Sequence, residues 1–158
     1  MKKIKVLFVC LGNICRSPLA EAVFKHKIRE KGIADLFEAD SCGTANYHVD
    51  DTPDPRTIAN AKKNGVKIDH FGRQLKARDL EYYDHIFAMD NSNLRNIQNL
   101  PNAGKYSEKI RLMRDYDPVS TGGEVPDPYY GHERDFQEVF EILDRSTEAL
   151  IASLTKEA

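Results

Sequence analysis

Four consecutive apolar residues near the start of the sequence, 6–9, are followed directly by Cys10. Gly12 follows after one intervening residue. An uninterrupted run of Val, Leu and Phe is typical of a strand buried on both faces, as in a parallel sheet. Ser17 and Pro18 are typical of a helix start, and an apolar stripe continues from there to Gly32. Residues 5–32 therefore predict a buried strand, a short loop and a helix with Ser17 as N-cap.

The remaining sequence continues this alternation. Further strands are predicted at residues 36–41, 85–89 and 110–113, and further helices at 56–64, 91–100 and about 133–154. Residues 115–131 contain three prolines and three glycines, so we expect a long loop, which in a compact domain is often functional. The pattern predicts one α/β domain over residues 1–158, a three-layer sandwich whose four-stranded, doubly wound parallel sheet has helices on both faces.

Charge and composition argue against several classes of protein. No apolar run approaches the roughly 18 residues that a membrane span needs, and the net charge of −2 argues against nucleic-acid binding, which depends on a basic surface. Three cysteines are too few, and odd in number, for a secreted disulfide framework. The histidines are scattered, without metal-ligand spacing. We expect a cytoplasmic protein without cofactor or metal, which contacts neither membrane nor nucleic acid.

The loop between the first strand and the first helix carries the strongest chemical signal. It contains Cys10 and Arg16, with five residues between them. A cysteine at the end of a strand and close to a helix N-terminus lies in a field that favours anions, among them a thiolate or a phosphate. Arg16 can hold two phosphate oxygens with its planar guanidinium, and Gly12 and Asn13 tolerate left-handed backbone. The loop therefore predicts an oxyanion site with a nucleophilic cysteine.

Residues 10–22, which read CLGNICRSPLAEA, resemble the signature of the low-molecular-weight protein tyrosine phosphatases. Further matches follow in family order at residues 40–41, 53–56, 73–74, 89–94 and 127–130, so that the resemblance covers nearly the whole chain. It implies a flavodoxin-like fold of the phosphotyrosine phosphatase I kind. It also implies an enzyme that acts on tyrosine-phosphorylated proteins, with phosphate or other oxyanions as ligands or inhibitors.

The same resemblance implies roles for individual residues. Cys10 is expected to attack phosphorus, Arg16 to bind the phosphoryl group, and Asp127 to act first as general acid and then as base toward water. The departing tyrosine needs a proton, and a carboxylic acid on a loop above the site can supply it. Ser17 is expected to donate a hydrogen bond to the Cys10 thiolate. The phosphate-binding loop would be formed by Leu11, Gly12, Asn13, Ile14, Cys15 and Ser17.

Two further groups of residues follow from the resemblance. A hydrogen-bond network that holds the loop would consist of Asn13, Ser41 and His70, with Asp90 fixing the geometry, although on sequence alone His70 could equally be a surface histidine. Aromatic walls, deep enough for a phosphorylated phenol and too deep for phosphoserine, would be formed by Tyr47, Tyr129 and Tyr130.

The other two cysteines receive different interpretations. Cys15 is close enough to Cys10 in sequence to form a reversible disulfide that protects the nucleophile from irreversible oxidation. The alternative is that Cys15 only packs inside the loop. Cys42 is interpreted as a packing residue.

Other oxyanion enzymes remain alternatives. Thioredoxin-coupled arsenate reductases share this fold and loop, but they need two further cysteines well downstream of the nucleophile, and the last cysteine here is Cys42. Phosphoarginine phosphatases typically have Thr where this chain has Ile14, and an apolar residue there favours an aromatic ester. Asp115 and Asp117 resemble the two-aspartate motif of magnesium-dependent haloacid-dehalogenase phosphatases, but too little sequence follows them.

A phosphotyrosine-binding module without activity is the non-enzymatic alternative. Its sequence sign would be an inert residue in place of the nucleophile or of the acid. Cys10, Arg16 and Asp127 are all present, which favours an enzyme.

Overall fold

A computed structural model describes residues 2–156, so the two ends of the predicted domain, residue 1 and residues 157–158, lie outside the described residues. The strands are β1 (Ile4–Cys10), β2 (Phe37–Gly43), β3 (His85–Ala88) and β4 (Ile110–Leu112). The α-helices are α1 (Arg16–Glu30), α2 (Pro55–Lys63), α3 (Ala77–Tyr82), α4 (Asn91–Gln98) and α5 (Glu133–Thr155). Two 3-10 helices span Ala34–Leu36 and Ala103–Lys109.

The strands form one parallel sheet in the order β2-β1-β3-β4. β1 lies between β2 and β3, with Cys10 beside Gly43 and Val9 beside Ala88. Because the strands are parallel, their carboxyl ends meet at one edge of the sheet, where ligands bind in folds of this kind. The predicted four-stranded parallel sheet is confirmed.

Side chains of β1 alternate between two apolar layers. Val6 and Phe8 belong to the layer that contains buried residues of α1 and α5, whereas Leu7 and Val9 belong to the layer with buried residues of α3 and α4. Phe8 is fully buried. An uninterrupted apolar strand is required here because both faces of the sheet are covered, and this confirms the three-layer sandwich.

Several element boundaries differ from the sequence expectation by one or two residues, and one short α-helix was not predicted. β2 continues to Gly43 rather than ending near residue 41, because its last residues pair with the end of β1. α3 was not predicted, since six residues are too few to show a helical apolar period. Within residues 2–156 no helix has the length and apolarity that crossing a membrane would require.

The long loop after β4 is fastened by a buried carboxylate. Asp117 has no exposed surface and accepts hydrogen bonds from Arg114 Nε at 2.8 Å and from Arg145 Nε at 2.8 Å. Burial raises the pKa of Asp117, but the hydrogen bonds from Arg145, the Val119 amide and Arg114 outweigh it and lower the pKa to about 2. The loop is thereby tied to α5, and Asp117 is occupied by protein partners.

We expect the substitution Asp117→Asn to cost about 3 kcal/mol in free energy of unfolding at pH 7, because it leaves two guanidinium groups without their buried anion. Since the folded pKa of Asp117 is about 2, against an ordinary 3.8, its ionic contribution is complete above about pH 5 and is lost as the pH falls toward 2. Urea denaturation at pH 7 and pH 3 provides the test. The difference in free energy of unfolding between wild type and variant should be smaller at pH 3.

The exposed Asp115 provides the control for this loop, because Asp115→Asn should change the free energy of unfolding by no more than about 0.5 kcal/mol. If Asp117→Asn lowers the free energy of unfolding by the same amount at pH 7 and at pH 3, the role of the ionised carboxylate is contradicted.

Candidate active site

The loop between β1 and α1, residues 10–17, is called the cradle loop here, and its backbone is oriented by neighbouring segments. The carbonyl of Cys10 accepts from the Thr44 amide at 2.9 Å, that of Leu11 from Ala45 at 3.0 Å, and that of Ile14 from Asp54 at 2.8 Å. The C=O and N–H of one trans peptide point in opposite directions. The N–H groups that follow these three carbonyls therefore point away from the neighbouring segments, toward the cavity that the loop lines.

Asn13 stabilises the turn of the cradle loop from inside. Its backbone is left-handed, with φ of 58°, and its amide N–H donates to Cys10 Sγ at 3.3 Å. Its side-chain Nδ2 donates to Ser17 Oγ at 2.8 Å and to Ser41 Oγ at 3.1 Å. Asparagine is among the few residue types that adopt this backbone and hydrogen-bond locally as well.

His70 and Glu21 hold Asn13 from the other side. Asn13 Oδ1 faces His70 Nε2 at 2.7 Å and accepts from the Arg73 amide at 3.1 Å. His70 Nδ1 lies 3.2 Å from Glu21 Oε1, which also accepts from Ser41 Oγ at 2.7 Å. Both ring nitrogens of His70 thus face oxygen atoms of the network. The histidine side chain is only 7% exposed, so it is not a surface residue.

Glu21 was missed by the sequence analysis. Burial raises the pKa of its carboxyl, but hydrogen bonds from His70, Lys25 and Ser41 outweigh this and lower the pKa below its ordinary value. In sequence it occupies a helix position among apolar neighbours, and that buried charge was the available signal, because a fully buried carboxylate requires partners.

Ser17 is not the N-cap of α1, which corrects the prediction. The helix begins at Arg16, and the preceding residue, Cys15, makes no side-chain cap. The Ser17 hydroxyl instead lies 3.0 Å from Cys10 Sγ and 3.3 Å from the carbonyl oxygen of Cys42. Ser17 is fully buried, and its hydroxyl contacts this sulfur and this carbonyl rather than capping the helix start.

Arg16 connects three segments at the carboxyl edge. Its Nη1 donates to Asp90 Oδ2 at 2.7 Å and to the Val125 carbonyl at 3.0 Å, and its Nη2 lies 3.7 Å from Asp127 Oδ2. Burial lowers the pKa of Arg16, but Cys10 and Asp90 outweigh it and raise the pKa. Asp90 also accepts from the Asn93 amide at the start of α4 at 2.7 Å. The guanidinium is therefore fixed beside the cradle loop.

A cavity of about 310 Å³ opens above the cradle loop. The structure brings the three predicted wall tyrosines and Asp127 to it, together with a residue that the sequence analysis missed, His48. Tyr129 is 39% exposed, Tyr47 71% and Tyr130 95%. A Cβ on Gly12 would lie 3.2 Å from the His48 ring, so the glycine permits this close approach. The wall is thus made of rings that stand out from the surface.

The three thiols are all free and buried. Cys10 and Cys15 both line the cavity, but burial raises the pKa of Cys15 to about 12. Burial also raises the pKa of Cys42 well above its ordinary value. A disulfide between Cys10 and Cys15 stays a prediction.

Three potential metal ligands lie together behind the cradle loop. Atoms of Glu21, Asp40 and His70 are within 4.8 Å of one another. Each is already bound to protein: Asp40 accepts from Arg73 Nε at 2.9 Å, and Glu21 pairs with Lys25 at 2.6 Å. Because two of the three have cationic partners, this cluster is better suited to holding the loop than to holding a metal ion.

The arrangement provides the parts of a phosphoryl-transfer site. The Cys10 sulfur, which accepts a hydrogen bond from the Asn13 amide, lines the cavity together with Arg16 and the half-exposed Asp127. The guanidinium and the amides of the cradle loop favour an oxyanion there. A carboxyl group in that position can exchange a proton with a bound molecule.

Comparisons with known proteins agree with this arrangement. The sequence model of the family described as low molecular weight phosphotyrosine protein phosphatase matches residues 5–158. A low molecular weight phosphotyrosine protein phosphatase of Schizosaccharomyces pombe is 46% identical over 147 residues, which cover 92% of this chain and 94% of that protein.

Solved structures share the fold. A protein tyrosine phosphatase from Entamoeba histolytica, crystallised with Hepes in its active site, aligns with a TM-score of 0.93 and 40% identity over 98% of this chain and 99% of that one. A Drosophila arginine phosphatase aligns with a TM-score of 0.84 and 32% identity over 96% and 98% of the two chains.

We expect iodoacetamide at pH 7 to label Cys10 at least about tenfold faster than either other cysteine. The thiolate is the reactive form, and the raised pKa values of Cys15 and Cys42 keep both protonated. Peptide mapping by mass spectrometry should find one label per chain, at Cys10, and inorganic phosphate should slow the reaction. Rapid labelling of Cys15 in the variant Cys10→Ser would contradict this.

Proposed function

Because the chain belongs to the low molecular weight phosphotyrosine protein phosphatase family, we propose that it hydrolyses phosphotyrosine through a covalent phosphate ester of Cys10. The observation that carries the proposal is the convergence of Cys10 Sγ, the Arg16 guanidinium and the Asp127 carboxyl on one cavity. The chain is a protein-tyrosine phosphatase, and the three residues are assigned here as its nucleophile, phosphate-binding cation and acid.

In the first step the Cys10 thiolate attacks phosphorus, and the bond between phosphorus and the tyrosine oxygen breaks. Arg16 and the cradle-loop amides hold the phosphoryl oxygens while negative charge redistributes among them. Asp127 gives its proton to the leaving phenolic oxygen. Neutral tyrosine and a phosphorylated cysteine result.

In the second step water attacks the phosphorus, and the sulfur–phosphorus bond breaks. Asp127, now ionised, accepts a proton from the water. Ser17, 3.0 Å from Cys10 Sγ, donates a hydrogen bond to the departing thiolate. Inorganic phosphate leaves, and the thiolate and the protonated acid are restored.

The shape of the cavity supports tyrosine as the residue that is dephosphorylated. Tyr47, Tyr129 and Tyr130 stand above the cradle loop, and Ile14 adds an apolar surface at its edge. An aryl ring can pack between such groups, whereas the polar guanidine of phosphoarginine finds fewer partners beside an isoleucine. Substrates are therefore phosphotyrosine-containing proteins, with phosphate and related oxyanions as competing ligands.

The proposed thiolate nucleophile also indicates the cellular compartment in which the enzyme works. A catalytic thiolate must stay reduced, which is the condition of the cytoplasm rather than of secreted proteins. We therefore assign the enzyme to the cytoplasm and treat residues 1–158 as a single catalytic domain.

The variant Cys10→Ser should lose hydrolysis of p-nitrophenyl phosphate by about a thousandfold or more, because a serine hydroxyl is far less nucleophilic than a thiolate. Wild type should keep full activity in excess EDTA, since no step uses a metal. The measurement is release of p-nitrophenol for both chains with and without EDTA. Activity that survives in the serine variant, or that EDTA removes, would refute the thiol mechanism.

The variant Asp127→Asn should slow hydrolysis of phenyl phosphate by about a hundredfold, within the range of general acid catalysis. It should slow the first step with p-nitrophenyl phosphate much less, because p-nitrophenolate is a good leaving group that departs without protonation. Single-turnover rates of phenol and nitrophenol release provide the test, since they report the first step alone, whereas both esters share the second step. Equal losses with the two substrates would remove Asp127 from the role of acid.

A further inference from the structure

Asp127 lies on a segment that is held at two points, one on each side of it. Two residues before it, Val125 donates its amide to the Met89 carbonyl at 2.8 Å and accepts from Arg16 Nη1 at 3.0 Å. Two residues after it, the Tyr129 amide donates to Asp127 Oδ1 at 3.1 Å. The position of the carboxyl therefore depends on Val125 and on Tyr129.

The first anchor is buried, and the second is not. Val125 has no exposed surface, whereas Tyr129 is 39% exposed. An exposed ring keeps several side-chain conformations unless a neighbour restrains it. The position of the segment on the Tyr129 side of Asp127 therefore depends on what restrains the Tyr129 ring.

Arg56 supplies this restraint. Its guanidinium carbon lies 5.3 Å from the centre of the Tyr129 ring and 4.7 Å from the centre of the Phe136 ring. Phe136 is buried at the start of α5. The Arg56 side chain is 47% exposed, and its guanidinium lies within cation–π distance of both a wall ring and a buried ring.

Arg56 is itself held by Asp54 through two hydrogen bonds. Nε donates to Asp54 Oδ1 at 3.1 Å and Nη2 to Asp54 Oδ2 at 2.8 Å, a two-pronged pairing that fixes the plane of the guanidinium. The hydrogen bond from Arg56 lowers the pKa of Asp54, so the pair stays ionised. Because the Asp54 amide donates to the Ile14 carbonyl at 2.8 Å, this chain of contacts begins at the cradle loop.

We propose that Arg56 is a positioning residue, which fixes Tyr129 against the cavity and thereby sets the Asp127 carboxyl above the cradle loop. Arg56 does not line the cavity, so it acts through Tyr129 rather than on the substrate. The proposal rests on the proposed function, in which Asp127 is the proton donor. Arg56 thereby connects the two halves of the site, the loop that binds phosphate and the segment that protonates the leaving group.

The test compares Arg56→Ala in two backgrounds, wild type and Asp127→Asn, with phenyl phosphate and p-nitrophenyl phosphate. In wild type we expect the single-turnover rate of phenol release from phenyl phosphate, which reports the first step alone, to fall about tenfold, the effect of a misplaced catalytic group. The corresponding rate with p-nitrophenyl phosphate should change little. In the Asp127→Asn background Arg56→Ala should not lower the rate of phenol release further. KM should rise in both backgrounds, because the loosened Tyr129 ring no longer packs on the substrate.

Two further variants separate positioning from folding. Asp54→Asn keeps a good N-cap residue on α2 but breaks the two-pronged pairing, so it should repeat the pattern of Arg56→Ala, and it serves as the test should Arg56→Ala fail to fold. Lys62→Ala removes an exposed cation of the same helix and should leave both substrates unaffected. Urea midpoints are measured for every variant.

Equal loss in the single-turnover rate with both substrates, or a tenfold loss that persists in the Asp127→Asn background, would overturn the proposal. These outcomes differ from failure of the proposed function. In that case wild type would not hydrolyse either ester, or the loss of rate caused by Asp127→Asn would be the same for both leaving groups.

Discussion

The buried guanidinium of Arg16 is the interaction on which the site depends. A cation that is removed from water is costly unless anions and carbonyls surround it, and Arg16 is 4% exposed in its side chain. Asp90, at the end of β3, and the Val125 carbonyl meet this requirement at 2.7 Å and 3.0 Å. The ends of two strands and the segment with Asp127 are thus held together by the same group that we assign to phosphate binding.

A second polar network, behind the cradle loop, has a different task. Asn13, Ser41, His70 and Glu21 satisfy one another through short hydrogen bonds, and a fully satisfied buried network is rigid because each lost bond leaves a desolvated group. Its rigidity maintains the left-handed backbone at Asn13. The cradle loop is therefore shaped before an anion arrives, which lowers the cost of binding it.

Sequence patterns predicted those parts of the molecule that are specified locally. The apolar runs gave the four strands, and the order of residues in the cradle loop gave the oxyanion site, because both depend on neighbours in the chain. The wrong assignment of Ser17 as N-cap shows the limit: a serine before proline has the same local pattern whether its hydroxyl caps a helix or faces a sulfur. The roles of Glu21 and Arg56 were missed because the partners through which they reach the site lie 20 or more residues away in the chain: Ser41 and His70 for Glu21, and Tyr129 for Arg56.

Two aspartates of one loop have opposite environments, and the difference agrees with their roles. Asp117 is enclosed by two arginines, with its pKa lowered to about 2, so it stays ionised and serves as a fastening. Asp127 is 48% exposed in its side chain and lies 3.7 Å from Arg16, beyond hydrogen-bond distance. Strong donors around a carboxylate hold it in its ionised form, so few of them suit the acid and base role that we propose for Asp127. The loop therefore places a permanent charge at its buried end and the proposed acid at its open end.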